Sequence, residues 1–510
     1  MKNLFRLPLL VASLGLIADC LHAATFTVTT TNISGPGSLP VAIAQANATP
    51  GKNKIQISVT NVITLGVPLP TITNSVTITG ATNGSTVISG GGTLPLFTFA
   101  AGTTNSLSNL VLANGYTTNS GAAISNSSML FVSSCIITNN NATNGQNNGG
   151  AIINISGGVM AISSSIFSGN RARRGGAVYN SGTMTLSNSQ LSDNQAWYGG
   201  AIFNGGSLAI SFLAVSNNLA SVNADCQGGG LFNTGALTIS KSTFVKNTVS
   251  GSSVEGGAIF SSSGTVGITN STFYQNAAIA GYLYARGGAL YLEANAYYTL
   301  VNCTVVSNSS SSSGQLAPWG IAGGICNYSG TFSILNTVIA ANSANGSSPD
   351  LYGAFVSSGV NLIGNNQGAT NLSIFDFQNV SANLGPLQNN GGSTLTCAPL
   401  SGSYAIGYGS STGAPTTDQR GVPRPQGGAF DIGAVQVVTG SPFVAGGAMV
   451  SGSGFNLATI FDATNSYRVQ ASTNLTTWVN LITNSSGGIL NFTDTAATNL
   501  NCRFYRTAIP

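Results

Sequence analysis

Apolar and polar residues alternate in short runs along most of this chain, and glycine and asparagine interrupt the runs. In residues 235–244, for example, Leu237, Ile239 and Phe244 are separated by small or polar residues. A period of two predicts β-strands, and nothing in these runs follows the helical period of 3.6. Short strands divided by turn residues predict an all-β protein built from repeated units.

A four-residue motif, Gly-Gly-Ala-Ile or a close variant, marks each unit. Full copies begin at Gly149, Gly175, Gly199, Gly228, Gly256 and Gly287, and weaker copies occupy 121–124 and 322–325. A fixed period of this kind indicates a solenoid, in which each unit is one coil. We expect the glycines to serve a corner where backbones pass closely or φ is positive.

An asparagine recurs once in every unit, three residues after an apolar residue, as in Phe167 and Asn170. The column consists of Asn140, Asn170, Asn194, Asn218, Asn247, Asn276, Asn308 and Asn342. Asparagine tolerates the left-handed backbone of a sharp corner, and its amide can bond the amide of the next coil. The column therefore predicts a structural ladder along one corner. A second, imperfect ladder is predicted through Asn126, Asn154, Asn180, Asn204, Asn233 and Asn327.

These patterns together predict a right-handed parallel β-helix with about three strands in each coil. Its first coil needs a cover, and a short helix from Ser38 to Asn47, with Pro40 in its first turn, fits that place. Strands at 54–59 and 75–80 would then begin the stack. Cys135 and Cys303 share one column six coils apart, about 29 Å at about 4.8 Å per coil, so they are expected to be buried thiols rather than a disulfide.

Composition narrows the function. Only 5% of the residues are charged and the net charge is +4, which gives no basic surface for nucleic acid. The single histidine, His22, lies near the N-terminus, so the remainder of the chain offers no histidine base or ligand. No CxxC pair or acidic cluster suggests a metal, and we expect neither a metal nor another cofactor.

The N-terminus has the features of a signal peptide. Lys2 and Arg6 precede an apolar run that ends in small residues near Ala23, which predicts cleavage there and export. A lipoprotein site at Cys20 fits less well because Asp19 precedes it. No later segment is apolar enough for a membrane helix.

Several motifs resemble those of large bacterial secreted β-helix proteins with the pectin-lyase-like fold. They are Ser34-Gly35-Pro36-Gly37-Ser38-Leu39, Asn361-Leu362-Ile363-Gly364, Leu384-Gly385-Pro386-Leu387 and Thr417-Asp418-Gln419-Arg420-Gly421. The later motifs, with Gly427 to Gly433, are similar to the segment called the choice-of-anchor Q domain. The repeats are also similar to those of polymorphic outer-membrane adhesins, although we expect this chain to lack the C-terminal barrel of alternating strands that those adhesins have. The resemblance, over about residues 24–438, implies an exported or surface protein of unassigned activity.

The predicted organisation has six parts. They are a signal peptide (1–23), a cap with the first coils (24–100), the repeat β-helix (101–345), C-terminal coils resembling the choice-of-anchor Q segment (346–438), a linker (439–447) and a small β domain (448–510). The last part alternates apolar residues in a pattern typical of a β-sandwich. A carbohydrate-binding or docking module and a passive cap or sorting module are both compatible with it.

Loops between each column asparagine and the next glycine pair hold many of the scarce charges and large aromatics. The predicted ligand-binding residues are Arg171, Arg173, Arg174, Trp197, Tyr198, Tyr282, Tyr284, Arg286 and Trp319. Aromatic rings stacking on sugars, with charges bonding hydroxyls, would bind polysaccharide or another surface ligand. The alternative is a solvated edge where arginine rests on aromatic rings for packing alone.

Catalysis is a further alternative on the same edge. Asp225 and Glu255 are the best carboxylate pair for a glycosidase, one coil apart, although they stand at different distances from their glycine pairs. A lyase would need more converging carboxylates than Asp193, Asp225 and Glu255 supply. We therefore expect a non-catalytic binding protein, with a polysaccharide lyase or glycosidase, and a purely structural protein, as the alternatives. Asp350, Asp376, Asp418 and Asp431 are expected to bond backbone groups in turns.

Overall fold

The computed structural model describes residues 23–81, 86–143, 147–314, 319–438, 443–450, 454–461, 467–484, 488–499 and 503–508. The predicted signal peptide, with Cys20 and His22, lies outside these residues except for Ala23. The predicted all-β solenoid is confirmed: within the β-helix the strands pair in parallel, each with the equivalent segment of the next coil.

The longest sheet of the described stack takes two segments from each repeat coil. Its strands are Thr25–Val28, Asn53–Ile57, Val76–Thr79, Phe97–Phe99, Thr104–Ser108, Ile124–Asn126, Met129–Ser133, Ile152–Asn154, Val159–Ser163, Val178–Asn180, Thr183–Ser187, Ile202–Asn204, Ser207–Ser211, Leu231–Asn233, Ala236–Ser240, Ile259–Thr269, Leu290–Val301, Ile325–Asn327, Thr331–Leu335, Leu351–Ala354, Val356–Ser357 and Ala369–Thr370. We call this the long sheet.

A second sheet forms another side of the stack. Its strands are Ile63–Thr64, Val87–Ser89, Val111–Ala113, Ile136–Thr138, Ile166–Ser168, Gln190–Ser192, Ala214–Ser216, Thr243–Val245, Thr272–Tyr274, Thr304–Val306, Val338–Ala340, Leu362–Ile363 and Phe377–Gln378. Period-two alternation turns residues such as Leu237, Ile239 and Phe244 inward, where they are buried. Stacked rings such as Phe244 and Phe273, 5.1 Å apart, continue this core from coil to coil.

A third and a fourth sheet complete the longer coils. The third contains Asn141–Ala142, Arg171–Ala172, Gln195–Ala196, Leu219–Ser221, Thr248–Gly251, Ala277–Ala280, Ser309–Ser312 and Ser343–Ala344. The fourth contains Cys226–Gln227, Val254–Glu255, Ala285–Arg286 and Gly320–Ile321. The estimate of three strands per coil was therefore too low where the long sheet receives two segments and the fourth sheet is added.

The predicted cap is a helix, Leu39–Ala48, preceded by Ser38 in an extended conformation. Leu39 and Ile43, on its inner face, are buried in the same apolar core as the first strands. The helix therefore closes the end of the core. Of the helices in the described part of the chain, none combines the length and apolar character needed to cross a membrane.

The asparagine corner forms as a ladder, but its backbone differs from the expectation. Each column asparagine is nearly or fully buried, and the left-handed residue is the one before it, as in Asp193 (φ 58°) before Asn194 and Asn217 (φ 54°) before Asn218. The reason is that the turning residue points outward, while the asparagine that follows turns inward to bond its neighbours. The left-handed role assigned to the column itself was wrong.

The glycine corner has both expected properties, divided between the two glycines. Gly175, the first of its pair, has φ 64°, and the other first glycines of full copies are similar. The second, Gly176, lies so near the next coil that an added Cβ would stand 2.2 Å from the carbonyl oxygen of Gly200. Only glycine fits at either position without strain.

Residues 382–438 leave the stack and fold back over the outer face of the second sheet. The side-chain amide of Gln419 donates to Thr243 Oγ1 (2.9 Å) and accepts from Thr272 Oγ1 (2.7 Å), while Asn302 Nδ2 donates to the carbonyl oxygen of Asp431 (3.1 Å). The motif around Asp418-Gln419-Arg420 thus attaches this segment, which we call the fold-back segment, to the coils.

The C-terminal part contains two three-stranded antiparallel sheets. One comprises Phe443–Val450, Gly454–Phe461 and Gly488–Asp494, and the other Tyr467–Ser472, Val479–Asn484 and Phe504–Ala508; a short 3₁₀ helix covers Thr495–Asn499. Leu457 of the first sheet and Val469 of the second share one apolar cluster, which is the packing of a small sandwich. The part boundaries proposed from the sequence stay predictions.

Candidate functional site

The segments between column asparagines and glycine pairs are ordered structure rather than loose loops in the longer coils. Residues 219–227, 248–255, 277–286, 309–314 and 319–321 stack on one another through the third and fourth sheets, and we call them the lateral extension. Small apolar side chains, including Cys226, Val254 and Ala285, form a core of its own. The predicted binding edge is therefore carried on paired strands with a core of their own.

The residue just before each glycine pair lies in register with its counterpart in the next coil. Arg174 pairs with Tyr198, Tyr198 with Gln227, Gln227 with Glu255, and Glu255 with Arg286. The structure thus arranges these predicted site residues in one column. Gln227 is a member of the column that the sequence interpretation missed.

Arginine and aromatic side chains contact each other at the N-terminal end of this column. The guanidinium of Arg173 lies 4.9 Å from the ring centroid of Trp197, and that of Arg174 lies 5.7 Å from the ring centroid of Phe203. Trp197 is 40% exposed, and Arg171 points to solvent. This end therefore has the packing expected of a solvated edge, although Trp197 still presents part of its ring.

Glu255 and Arg286 form the charged centre of the column. Arg286 Nη1 lies 3.5 Å from Glu255 Oε1, and Gln227 Nε2 donates to Glu255 Oε2 at 2.9 Å. Burial raises the pKa of the Glu255 carboxyl above its ordinary value, while the bond from Gln227 and the charge of Arg286 act in the opposite direction. The opposite charges of Glu255 and Arg286 therefore offset each other within the lateral extension.

Asp225 does not align with Glu255. The strand register pairs Cys226 with Val254, so Asp225 stands opposite Ser253, and its side chain is exposed. Glu293 is a carboxylate that the sequence interpretation missed. Burial raises its pKa, as it does for Glu255, and the negative charge of Glu255 raises it as well. Its position four residues after Gly-Gly-Ala and two after Tyr291 was the available signal.

One cleft of about 290 Å³, which we call the aromatic cleft, brings several of the predicted residues together. It is lined by Tyr282, Leu283, Tyr284, Arg286 and Trp319. Tyr282 is 72% and Trp319 46% exposed. The guanidinium of Arg286 lies 3.8 Å from the ring centroid of Tyr284 and 5.0 Å from that of Tyr328. Four predicted ligand-binding residues therefore meet at one place, with the arginine held in a defined position.

Beside the column runs a row of outward aromatic side chains that the sequence interpretation did not assign. Its members are Tyr179, Phe203, Phe232, Phe260 and Tyr291, and consecutive ring centroids are 4.7 to 5.4 Å apart. Tyr198 packs edge-on against Phe232. Each lies two residues after the third position of its Gly-Gly-Ala or Gly-Gly-Gly motif, where a period of two turns the side chain away from the interior of the coil, so the repeat itself contained the signal.

The amide ladder runs unbroken from Asn140 to Asn342. Each Nδ2 donates to the Oδ1 of the next asparagine at 2.9 to 3.0 Å, and Asn342 donates to Asp350 Oδ1 at 2.7 Å. The second ladder runs from Asn126 to Asn233 and then passes to Ser261; Asn327 lies in register but bonds backbone oxygens instead.

The four aspartates assigned to turns bond backbone amides. Asp376 accepts from Asn361 N, Asp418 from Val422 N and Asp431 from Gly407 N. Asp350 accepts from Asn342 N and Asn365 N, and burial raises its pKa to about 6. Cys135 and Cys303 are free and buried, as expected, and burial raises the pKa of the Cys135 thiol to about 11.

Within the described ranges, no three His, Cys, Asp or Glu side chains come close enough together to hold a metal ion. No protein-family model matches the chain, and no curated protein matches it.

Proposed function

We propose that this chain is an exported, non-catalytic β-helix protein that binds polysaccharide or another surface ligand through the edge formed by its lateral extension. The aromatic cleft carries this proposal. Rings with exposed faces and a fixed guanidinium are the groups that bind sugars, through stacking on C–H faces and hydrogen bonds to hydroxyls. Arg286 lies on the strand Ala285–Arg286, and Trp319 directly precedes the strand Gly320–Ile321 that pairs with it, so this part of the cleft is held beside paired backbone.

The pectin-lyase-like, choice-of-anchor and adhesin resemblances belong to this proposal. They supply the expectation of a secreted or surface location, with cleavage near residue 23. N-terminal sequencing of the protein collected from the culture medium or cell surface checks this expectation. A mature chain that retains residues 1–22 would contradict it.

Glycan-array and polysaccharide pull-down binding test the proposed function. The variants Tyr284→Ala and Trp319→Ala should lose binding by about tenfold or more, the usual consequence of removing a central aromatic contact. Phe131→Ala is the matched control, because Phe131 is 47% exposed on the long sheet, away from the cleft. Unaltered binding by both cleft variants, with circular dichroism unchanged, would contradict the proposal.

A glycoside hydrolase is a second candidate, favoured by the raised pKa of both Glu255 and Glu293. A carboxyl whose pKa is raised titrates at a higher pH than an ordinary glutamate, which is the direction that a general acid beside an ionised partner requires. Release of oligosaccharides from a polysaccharide, abolished by Glu293→Gln, would support this function. An absence of products across neutral and acidic polymers would exclude it in favour of binding alone.

A further inference from the structure

The aromatic cleft continues into a second depression. This depression is a groove of about 420 Å³, which we call the hydroxyl groove. It is lined by Ser221, Val222, Asn223, Ser250, Gly251, Ser252, Ile279, Ala280, Gly281, Tyr282 and Ser313. Tyr282 belongs to both walls. A ligand that stacks in the aromatic cleft therefore reaches the hydroxyl groove by passing a single exposed tyrosine.

The hydroxyl groove runs in the direction in which the coils stack. Ser221 pairs with Ser250, and Ser250 with Ile279, in consecutive coils of the third sheet. With Ser313 in the coil after that, the groove crosses three steps, about 14 Å at about 4.8 Å per coil. An extended polymer, rather than a compact small molecule, matches a groove of this shape.

The charged residues that line the two clefts indicate which class of polymer they can bind. The described lining of the hydroxyl groove contains no Asp, Glu, Lys or Arg, and the one charged residue of the aromatic cleft, Arg286, is already paired with Glu255. A polyanion would have to compete with Glu255 for that guanidinium. Arg171, Arg173 and Arg174 belong to one coil, and that coil lies four coils, or roughly 19 Å, from the coil of Arg286.

We propose that the two clefts together bind an uncharged polysaccharide strand, which stacks on Tyr284 and Trp319 and continues past Tyr282 into the hydroxyl groove. This inference rests on the proposed function and names its ligand class. Hydroxyl and backbone groups in the groove exchange hydrogen bonds with sugar hydroxyls, and the neutral lining imposes no charge requirement.

Affinity electrophoresis against soluble starch, xyloglucan and galactomannan, in parallel with polygalacturonate, alginate and chondroitin sulfate, tests the ligand class. At least one neutral polymer should retard the protein, equally at low and high salt, because no ion pairs with the ligand are formed. Tyr282→Ala should weaken this binding about tenfold or more. Tyr297→Ala, which removes a tyrosine that is 60% exposed on the long sheet, should have no effect.

A second pair of variants tests the hydroxyl groove separately. The double variant Ser221→Ala with Ser250→Ala removes two hydroxyls without adding bulk and should weaken binding severalfold, while Ser207→Ala on the exposed long sheet should not. Equal binding by the double variant and the unaltered protein would overturn the part assigned to the groove.

The outcomes separate this inference from the proposed function. Binding of acidic polymers alone, weakened by salt and by Arg173→Ala with Arg174→Ala, would overturn the neutral ligand class and leave polysaccharide binding intact. Failure to bind any of the six polymers, together with a negative glycan array, would overturn both.

Discussion

The guanidinium of Arg286 lies 3.8 Å from the ring centroid of Tyr284 while its Nη1 atom is 3.5 Å from Glu255 Oε1. The arginine is therefore held from two sides, by a ring and by a buried carboxylate. Because Glu255 itself accepts from Gln227, the position of the guanidinium depends on a short chain of contacts across consecutive coils. These contacts hold Arg286, which lines the aromatic cleft, in one position.

Removing the charge of Glu255 should leave the Arg286 guanidinium less firmly held. Glu255→Gln is expected to weaken glycan binding by about threefold to tenfold, measured by titration calorimetry, since the guanidinium loses its anionic partner. The raised pKa of Glu255 means that acidification protonates it at a higher pH than an ordinary glutamate, so lowering the pH should reproduce the effect in the unaltered protein and not in the variant. Asp193→Asn, a change at an exposed aspartate outside the column, is the control.

Asp350 should make stability depend on pH. Its pKa is about 6 in the folded protein against 3.8 for a free side chain, so the folded state binds a proton more tightly. The free energy of unfolding should therefore fall as the pH rises from about 4 to about 6, by at most about 3 kcal/mol from this residue. Urea unfolding at several pH values measures the slope, and Asp350→Asn, which keeps an oxygen for Asn342, should reduce it. An unchanged slope in the variant would assign the effect to other groups.

The amide ladder should be costly to interrupt. Asn218→Ala leaves the Nδ2 and backbone N of Asn194 without their acceptor, and we expect a loss of about 2 to 4 kcal/mol in the free energy of unfolding. Asn61→Ala, an exposed asparagine in a bend, should change it by less than about 0.5 kcal/mol. Chemical denaturation of both variants makes the comparison; similar values for the two would show that the ladder contributes little.

The second glycine of each pair should not tolerate a side chain. Gly176→Ala would place a Cβ 2.2 Å from a backbone oxygen of the next coil, so the coils must separate there, at a cost of about 3 kcal/mol or more. Gly267→Ala is the matched control, because its added Cβ meets nothing within 4 Å and its φ is not positive. Thermal unfolding should show a lower Tm for the first variant and an unchanged or higher one for the second.

Gln419 should hold the fold-back segment in place. Its buried amide bonds Thr243, Thr272 and Thr394, so Gln419→Ala leaves several buried groups unpaired. Limited proteolysis should then cut within residues 382–438 several times faster, while the β-helix resists. Gln367→Ala removes an exposed glutamine and should leave the cleavage rate unchanged. Equal rates for the two variants would show that the segment is held elsewhere.

The sequence by itself determined the architecture. Alternation of apolar residues, the glycine pairs and the asparagine column specify strands, corners and register locally, because every coil repeats the same local rules and contacts only its neighbours. The register column of Arg174, Tyr198, Glu255 and Arg286 follows from the same repetition. The capping helix lies outside the repeats, and Ser38 and Pro40 indicated it.

The tertiary structure decided what the repetition leaves open. Segments of unequal length could not be aligned from spacing alone, so the sequence left the alignment of Asp225 with Glu255 open. The ordered lateral extension was apparent only in three dimensions. Contacts between distant parts of the chain, such as Gln419 with Thr243 and Thr272, carry no periodic signal. The cleft between Tyr282 and Trp319 also joins residues from different coils, and its shape depends on how the side chains pack rather than on their order in the sequence.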